Sequence, residues 1–250
     1  MNIFITGATS GFGKAIAEKF ATKENALWLT GRRLDRLQEL QKELIEKTGA
    51  SVEISCFDVR EKESVQIVAN ELKEKWDKLN LLINNAGLAL GISPIDEGNT
   101  EDWDTMIDTN VKGLLYVTRA LSPLLREQKK GHIINIGSTA GKVVYQNGNG
   151  YCATKFAVDA LTQTMRIDLL SHNIKVTAIN PGMAETEFSL VRFKGDSDKA
   201  AKTYQGFKAL QAEDIADAVY YCATLPPHVC INDLTITCVR QANSVYKITS

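Results

Sequence analysis

The sequence has no apolar run close to the roughly 18 consecutive residues that a membrane-spanning helix requires. It also has no dense block of lysine and arginine, and its formal net charge is −1 from 29 basic and 30 acidic side chains. A transmembrane protein is therefore excluded, and nothing indicates a surface for nucleic acid. We expect a soluble protein that binds a small molecule and neither a membrane nor a nucleic acid.

Cysteine is sparse and is not spaced for metal or disulfide chemistry. The five cysteines are an odd number without a CxxC pair, so we predict neither a zinc site nor a disulfide framework. The apolar run Ile3–Ile5 is too short for a secretory core and lacks a basic leader, which indicates a cytoplasmic location. Cys152 directly follows Tyr151. We favour the interpretation of Cys152 as an inert helix residue over its interpretation as a redox-sensitive one. The cysteines are Cys56, Cys152, Cys222, Cys230 and Cys238.

Short apolar runs alternate with longer amphipathic segments along all 250 residues. This alternation predicts a parallel sheet with helices on both faces, and so a doubly wound α/β fold of about seven strands in a single domain, residues 1–250. The predicted strands are Asn2–Thr6, Ala26–Thr30, Ser51–Phe57, Asn80–Ile83, His132–Gly137, Lys175–Ile179 and Leu234–Val239.

Two intervening segments are distinctive. Leucines and an isoleucine recur at steps of three and four through Leu34–Thr48, which predicts an amphipathic helix. By contrast, the stretch that begins at Pro181 and continues to about Asp198 shows no regular pattern. Long irregular stretches inside compact domains are usually functional, so we predict a substrate lid around residues 182–205.

The first predicted strand leads into the glycine-rich segment TGATSGFG, and a helical pattern follows it. Glycines at Gly7, Gly11 and Gly13 permit a tight turn in which backbone N–H groups approach a pyrophosphate at the helix N-terminus. A glycine cluster alone is weak evidence, but a strand before it and a helix after it are the expected context of a dinucleotide site.

The end of the second predicted strand indicates which dinucleotide is bound. Sites specific for NAD usually carry an acidic residue about 20 positions after the glycine turn. Here the segment reads LTGRR, with Arg32 and Arg33 in place of a carboxylate. Guanidinium groups bind phosphate through forked hydrogen bonds, so we predict a preference for the 2′-phosphate of NADP.

The segment YCATK places Tyr151 four residues before Lys155, on one face of a helix. A free tyrosine titrates near pH ~10, and a nearby ammonium favours its phenolate. We therefore predict that Lys155 lowers the pKa of Tyr151, so that the phenol can exchange protons near neutral pH.

These segments occur together with other short motifs, and the whole set resembles the short-chain dehydrogenase/reductase family in order and approximate spacing. The further motifs are Asp58 in FDV, NNAG at Asn84–Gly87, Asn110 in DTNVKG, Ser138 in INIGSTAG, and Pro181–Gly182. The resemblance covers essentially the whole chain. It implies a Rossmann-type fold, hydride transfer at a nicotinamide, and a catalytic tetrad of Asn110, Ser138, Tyr151 and Lys155.

The resemblance also implies a role for each site residue. Ser138 and Tyr151 would bind the substrate oxygen, Lys155 the nicotinamide ribose, and Asn110 would keep a water in line with Lys155. The implied cofactor residues are Gly7, Thr9, Ser10, Gly11, Phe12, Gly13, Arg32, Arg33, Asp58, Val59, Asn85, Ala86, Gly87, Tyr151, Lys155, Pro181, Gly182 and Thr186. Relatives are commonly tetramers that pack long helices, here around Trp103–Arg126 and Tyr151–Ser171, so a homotetramer is expected.

The lid segment MAETEFSLVRFKGDSDKA is similar to that of NADP-dependent 3-hydroxy acid dehydrogenases, which act on serine, allo-threonine and related acids. We predict that Arg192, with help from Lys194, grips a substrate carboxylate, although a solvated charge on the lid is an equal alternative. Gln146, Asn147 and Asn149 either line the pocket or form a turn. A broad carbonyl reductase and a non-catalytic NADP-sensing protein are the rival functions.

Overall fold

A computed structural model describes residues 1–249, and seven parallel strands in this part of the chain form one sheet in the order β3-β2-β1-β4-β5-β6-β7. The predicted doubly wound fold is therefore confirmed. The strands are β1 (Asn2–Ile5), β2 (Ala26–Gly31), β3 (Ser51–Cys56), β4 (Leu81–Asn84), β5 (Gly131–Ile136), β6 (Ile174–Pro181) and β7 (Asp233–Ile236).

Helices connect these strands along the chain. They are α1 (Gly11–Phe20), α2 (Leu34–Thr48), α3 (Lys62–Lys75), α4 (Thr100–Ile107), α5 (Leu114–Glu127), α6 (Asn149–Asp168), α7 (Glu187–Arg192), α8 (Ser197–Lys202) and α9 (Ala212–Thr224). A π-helical segment, Asp108–Gly113, joins α4 to α5. No helix among residues 1–249 is both long and apolar enough to cross a membrane.

Alternate side chains of the strands supply two separate cores. In β1, Ile3 and Ile5 pack in one apolar cluster with α1, α2 and α9, whereas Phe4 packs in the other with α3, α5 and α6. Successive side chains of a strand point to opposite faces, so apolar residues at consecutive positions require a cover on both sides. The predicted helix α2 has the predicted bounds, and its leucines Leu37, Leu40 and Leu44 are buried.

The chain order reverses between β1 and β4, which are neighbours in the sheet. β1 leads through β2 to β3 on one side, and β4 leads through β5 and β6 to β7 on the other. The loops that follow β1 and β4 therefore leave the sheet in opposite directions. In open α/β sheets, a crevice for ligands lies at the carboxyl ends of the strands at this point.

The prediction of an irregular lid is wrong in one respect, because residues 182–205 contain the helices α7 and α8. The Thr186 hydroxyl caps α7 by accepting a hydrogen bond from Phe188 N at 3.2 Å. The Asp196 carboxylate caps α8 by accepting one from Lys199 N at 3.0 Å. The segment also joins the chain before α9, since Glu185 N donates to Leu210 O at 2.8 Å.

Candidate active site

The glycine turn after β1 is held against the loop after β4. Gly7 and Gly11 have φ values of +68° and +50°, which favour glycine. A Cβ on Gly13 would lie 2.2 Å from Gly7 O, so only glycine allows α1 to approach the turn this closely. The Asn85 amide donates to Thr6 O and Gly7 O at 2.9 and 3.1 Å and joins the two loops.

A cleft of 290 Å³ opens along this edge of the sheet. All the predicted cofactor residues line this cleft except three. Gly13 packs against Gly7 in the turn, and Pro181 and Gly182 line the adjacent cavity. The Thr109 hydroxyl at the cleft is buried without a hydrogen-bond partner. The glycine turn and this unsatisfied hydroxyl are features that a bound dinucleotide fits.

The two arginines after β2 have different surroundings. The Arg32 side chain is 57% exposed and has only a 3.7 Å contact with Asp58. The Arg33 guanidinium donates from Nη2 to Thr9 Oγ1 and Ser10 Oγ, both at 2.9 Å, and from Nη1 to Glu187 Oε2 at 2.9 Å. Both arginines border the cleft, as predicted for a site that receives a phosphate.

Asp58 is tied to a residue that the sequence motifs do not include. Its carboxylate accepts hydrogen bonds from Arg60 Nε and Nη2 at 3.0 and 2.8 Å. Partial burial alone would raise the pKa of Asp58, but these hydrogen bonds hold it below its usual value. The carboxylate therefore stays ionised and available as an acceptor beside the cleft.

The predicted catalytic side chains meet where β5 ends and α6 begins. Tyr151 is buried, and the Ser138 hydroxyl lies close enough to its phenol to lower the pKa of that phenol. The Lys155 ammonium donates to Ile136 O at 2.9 Å and lies 5.9 Å from the centre of the Tyr151 ring. The Ser138 oxygen accepts from Ala140 N at 3.0 Å, which fixes its position at the edge of the cavity.

The predicted fall in the pKa of Tyr151 is not found. Burial raises the pKa of Tyr151 above its usual value, and the nearby Ser138 hydroxyl and Arg192 guanidinium offset only part of that effect. Burial also lowers the pKa of Lys155 to about 8. The Tyr151 phenol is therefore protonated at neutral pH, ready to act as an acid.

Asn110 lies in the π-helical segment, a type of irregularity that is frequent at functional sites. Its side-chain oxygen accepts from Leu88 N at 2.8 Å, and its amide donates to Leu88 O at 2.8 Å and to Thr154 Oγ1 at 3.0 Å. The side chain therefore fixes the loop after β4 against α6, with both amide donors engaged and one acceptor position of its oxygen filled.

A second cavity, of 330 Å³, adjoins Ser138 and Tyr151 and is bordered by α7. Arg192 at the end of α7 lies over the rings of Tyr145 and Tyr151, at 5.3 and 5.4 Å from their centres, and donates to the Tyr145 hydroxyl. Arg192 Nε is buried without a partner. Arg192 thus lies beside Tyr151, the predicted catalytic tyrosine.

The predicted help from Lys194 is not found, because its ammonium pairs with Asp102 at 2.9 Å. Asn149 is the first residue of α6. Its side-chain oxygen accepts a hydrogen bond from Trp103 Nε1 at 2.9 Å. Asn147 and Asn149 line a further pocket, which Lys194 also borders and which shares Tyr151 and Arg192 with the second cavity. The alternative reading of this segment as a turn fits Asn147, which has a φ of +63°.

The sequence motifs also missed the segment after β7, where Gln241, Asn243–Val245 and Lys247 line the second cavity. The Gln241 side chain is buried and accepts from Met183 N at 2.7 Å, so it fastens this segment to the predicted lid, residues 182–205. Lys247 donates to Thr203 O at 3.2 Å. In the part of the chain that the structure describes, the charged residues lining this cavity are the cations Arg192 and Lys247.

Comparison with known proteins decides the family, because the family described as short chain dehydrogenase matches residues 1–196. The chain belongs to this family. The resemblance inferred from the motifs is thus confirmed. This short-chain dehydrogenase carries the glycine turn and the Ser138, Tyr151 and Lys155 side chains within that matched range.

Several relatives match this short-chain dehydrogenase over nearly its full length. It is 47% identical to the NADP-dependent 3-hydroxy acid dehydrogenase YdfG of Shigella flexneri, across 97% of this chain and 96% of that one. It is 45% identical to sulfoacetaldehyde reductase 2 of Chromohalobacter salexigens, across 98% and 97%. A solved structure of serine dehydrogenase in its closed form with NADP+ has a TM-score of 0.93, 46% identity and full coverage of both chains.

Proposed function

We propose that this protein is an NADP-dependent oxidoreductase that transfers hydride between the nicotinamide and a small 3-hydroxy acid such as serine, allo-threonine or 3-hydroxypropionate. The observation that carries the proposal is the buried Tyr151 phenol, which faces a cavity whose charged lining residues are cations. Such a cavity suits a small anion. The names of the relatives, which include an NADP-dependent 3-hydroxy acid dehydrogenase, support the same substrate class.

The cofactor would lie along the cleft between the loops after β1 and β4. The backbone of the glycine turn and the N-terminus of α1 would hold the pyrophosphate, and Arg32 and Arg33 the 2′-phosphate. Asp58 and Val59 would contact the adenine, Asn85–Gly87 and Lys155 the ribose, and Pro181, Gly182 and Thr186 the nicotinamide amide. When bound, NADP accepts the hydride in the oxidative direction and supplies it in the reductive direction.

The side chains of the protein carry the proton. In reduction, the neutral Tyr151 phenol donates its proton to the carbonyl oxygen as negative charge develops there, and Ser138 donates a hydrogen bond to the same oxygen. In oxidation, the phenolate removes the proton of the substrate hydroxyl. Because burial raises the pKa of Tyr151, the reductive direction finds its acid in the required form at neutral pH.

Lys155 and Asn110 complete the proposed proton route. The Lys155 ammonium lies between the end of β5 and the cleft and would orient the ribose. Because both amide donors of Asn110 are engaged by Leu88 and Thr154, the water that we predict beside Lys155 would donate to the Asn110 oxygen or to a backbone carbonyl of the segment Asp108–Gly113.

Arg192 is the proposed carboxylate ligand. Its guanidinium contacts the two tyrosines, its Nε is unpartnered, and its position over the Tyr151 ring would bring it near a substrate that binds at that phenol. A guanidinium with donors in a fixed fork orients a carboxylate through two parallel hydrogen bonds. Arg192 would therefore bind the acid group and turn the neighbouring hydroxyl toward Tyr151.

The test is formation of NADPH from NADP+ with L-serine and with 3-hydroxypropionate, beside NAD+ controls. In Arg192→Ala, KM for both acids should rise roughly 10- to 100-fold, the range for a hydrogen bond to a charged group, while a neutral alcohol is oxidised as before. Lys194→Ala is the matched control and should change neither KM for the acids nor oxidation of the neutral alcohol. Equal losses on acids and neutral alcohols would remove the carboxylate role and favour a broad carbonyl reductase.

A sulfonate substrate is a second candidate, because the sulfoacetaldehyde reductases are about as similar to this chain as the 3-hydroxy acid enzymes. A sulfonate presents an anion to Arg192 at a position similar to that of a carboxylate. The kcat/KM for reduction of sulfoacetaldehyde, measured against that for malonic semialdehyde, separates the two assignments. If neither anion is reduced but a neutral aldehyde is, both candidates fail.

The proposal extends to assembly and location. We propose a single domain that forms a cytoplasmic homotetramer through α5 and α6. Large apolar side chains are exposed on or next to these helices and would be covered there, namely Leu115, Phe156, Ile167 and Leu170. The five free thiols fit a reducing compartment.

A further inference from the structure

Glu187 forms an ionic contact between the lid and the cofactor cleft. Its carboxylate accepts from Arg33 Nη1 at 2.9 Å and from Arg36 Nη1 at 2.5 Å. Glu187 is the first residue of α7, whereas Arg33 and Arg36 lie just before and within the first turn of α2. The two ion pairs therefore span the mouth of the cleft and connect α7 to α2.

The remaining donors of Arg33 are already engaged. Nε and Nη2 donate to Thr9 and Ser10 in the glycine turn, so Nη1 is the end of the guanidinium that faces away from the turn. Glu187 takes the donor at that end. A phosphate that binds Arg33 in the cleft would therefore compete with the Glu187 carboxylate for the Arg33 guanidinium.

Charge and exposure make this contact exchangeable. The Arg33, Arg36 and Glu187 side chains are 38%, 42% and 39% exposed, and the net stabilisation by such ion pairs is small. A phosphate monoester carries nearly two negative charges at neutral pH and offers three acceptor oxygens, against one charge and two oxygens for a carboxylate. The phosphate is therefore the stronger ligand of the two for a pair of guanidinium groups.

We propose that Glu187 occupies the 2′-phosphate site of the cofactor-free protein and that the 2′-phosphate of NADP, held by Arg32 and Arg33, takes Arg33 from it and thereby also releases Arg36. This inference rests on the proposed NADP specificity. Glu187 is then a specificity-determining residue, because it lowers the apparent affinity for the phosphorylated cofactor and leaves that for NAD unchanged. The apparent affinity for the cofactor is reduced because only the fraction of protein in which Glu187 has left the arginines can bind the 2′-phosphate.

The same exchange would act on the lid. With Glu187 bound, the N-terminus of α7 is tied to α2, and the other end of α7 carries Arg192. Release of Glu187 by the phosphate frees that end of the helix. The lid would thus respond to the phosphate that distinguishes NADP from NAD, at a distance from the nicotinamide.

The experiment uses 2′,5′-ADP and 5′-AMP, which differ only in the 2′-phosphate. Dissociation constants are measured by calorimetry for the wild type, Glu187→Gln and Glu187→Ala, with melting temperatures as a check on folding. We expect both variants to bind 2′,5′-ADP about three- to tenfold more tightly and to bind 5′-AMP as the wild type does. Glu185→Gln is the matched control, because it removes the same charge from an exposed residue of the same segment, and should change neither constant.

Two results would overturn the inference. Weaker binding of 2′,5′-ADP by Glu187→Gln would mean that Glu187 holds Arg33 in place for the phosphate. Equal changes for both nucleotides would mean that Glu187 acts on the lid alone. If instead the wild type shows no preference for 2′,5′-ADP over 5′-AMP, the NADP assignment itself fails, and the wild-type data alone reveal this.

Discussion

Lys155 is a charged residue that the fold buries almost completely, with 7% of its surface exposed. Its ammonium has one protein hydrogen bond, to Ile136 O, and burial still lowers its pKa from 10.5 to about 8. The native state therefore releases this proton at a lower pH than the unfolded chain does. Placing a cation beside the cleft thus costs stability at neutral pH and links stability to pH.

The sign of that link gives a prediction for Lys155→Met. Between pH 7 and 10 the unfolded chain holds the Lys155 proton and the native state loses it, so unfolding of the wild type should become harder as pH rises. Relative to Lys155→Met, the wild type should gain about 2 kcal/mol over this range. Urea unfolding of both proteins at several pH values measures the difference. A difference that is constant with pH would show that the ammonium keeps its ordinary pKa.

The residue types of the site could be predicted from the sequence, but their electrostatics could not. The four-residue spacing of Tyr151 and Lys155 already places them on one helix face. The pKa of Tyr151, however, depends on how deeply the phenol is buried and on Arg192, which lies 41 positions further along the chain. Neither quantity is contained in a local pattern, and the predicted direction was therefore wrong.

At the scale of elements, the turn between β1 and α1 depends on two glycines for different reasons. Gly11 needs a left-handed backbone, while a Cβ there would only touch Thr186 at 3.5 Å. Gly13 has no positive φ, but a Cβ would overlap Gly7 O and come within 2.5 Å of Asn85 Nδ2. One glycine is required by conformation and the other by packing.

Alanine substitutions should separate these two requirements. Gly11→Ala should cost about 1–2 kcal/mol of stability, the price of a left-handed non-glycine residue. Gly13→Ala should cost roughly 3 kcal/mol or more, because backbone atoms must move, and it should also displace Asn85 and abolish nucleotide binding. Thermal or urea unfolding measures the first effect and calorimetry with 2′,5′-ADP the second. Equal costs would show that α1 shifts easily.

The predictability of the elements depended on their length. All seven strands were predicted within a few residues, since each is an apolar run between polar segments. The helices α7 and α8 were missed, because each has only six residues, too few to show a helical period. Their caps, Thr186 and Asp196, were the signals that could have revealed them.

At the scale of the whole molecule, the exposed apolar side chains of α5 and α6 predict assembly. The wild type should have about four times the chain mass of 27.6 kDa in light scattering after size exclusion. Phe156→Asp should shift the mass toward smaller species, because it places a charge in the proposed interface of α6. Ile67→Asp, on α3, is the matched control and should stay tetrameric. A wild type that elutes as a monomer would end the proposal.

The cavity beside Ser138 and Tyr151 takes one wall from the segment after β7, which lies outside the sheet and outside α6. Loops and segments of this kind accept insertions and exchanges more readily than the elements that they follow. We therefore expect changes at Asn243–Lys247 to alter which substrates this protein accepts without altering its sheet. Over evolutionary time, substrate range and hydride chemistry in this fold are free to change at different rates.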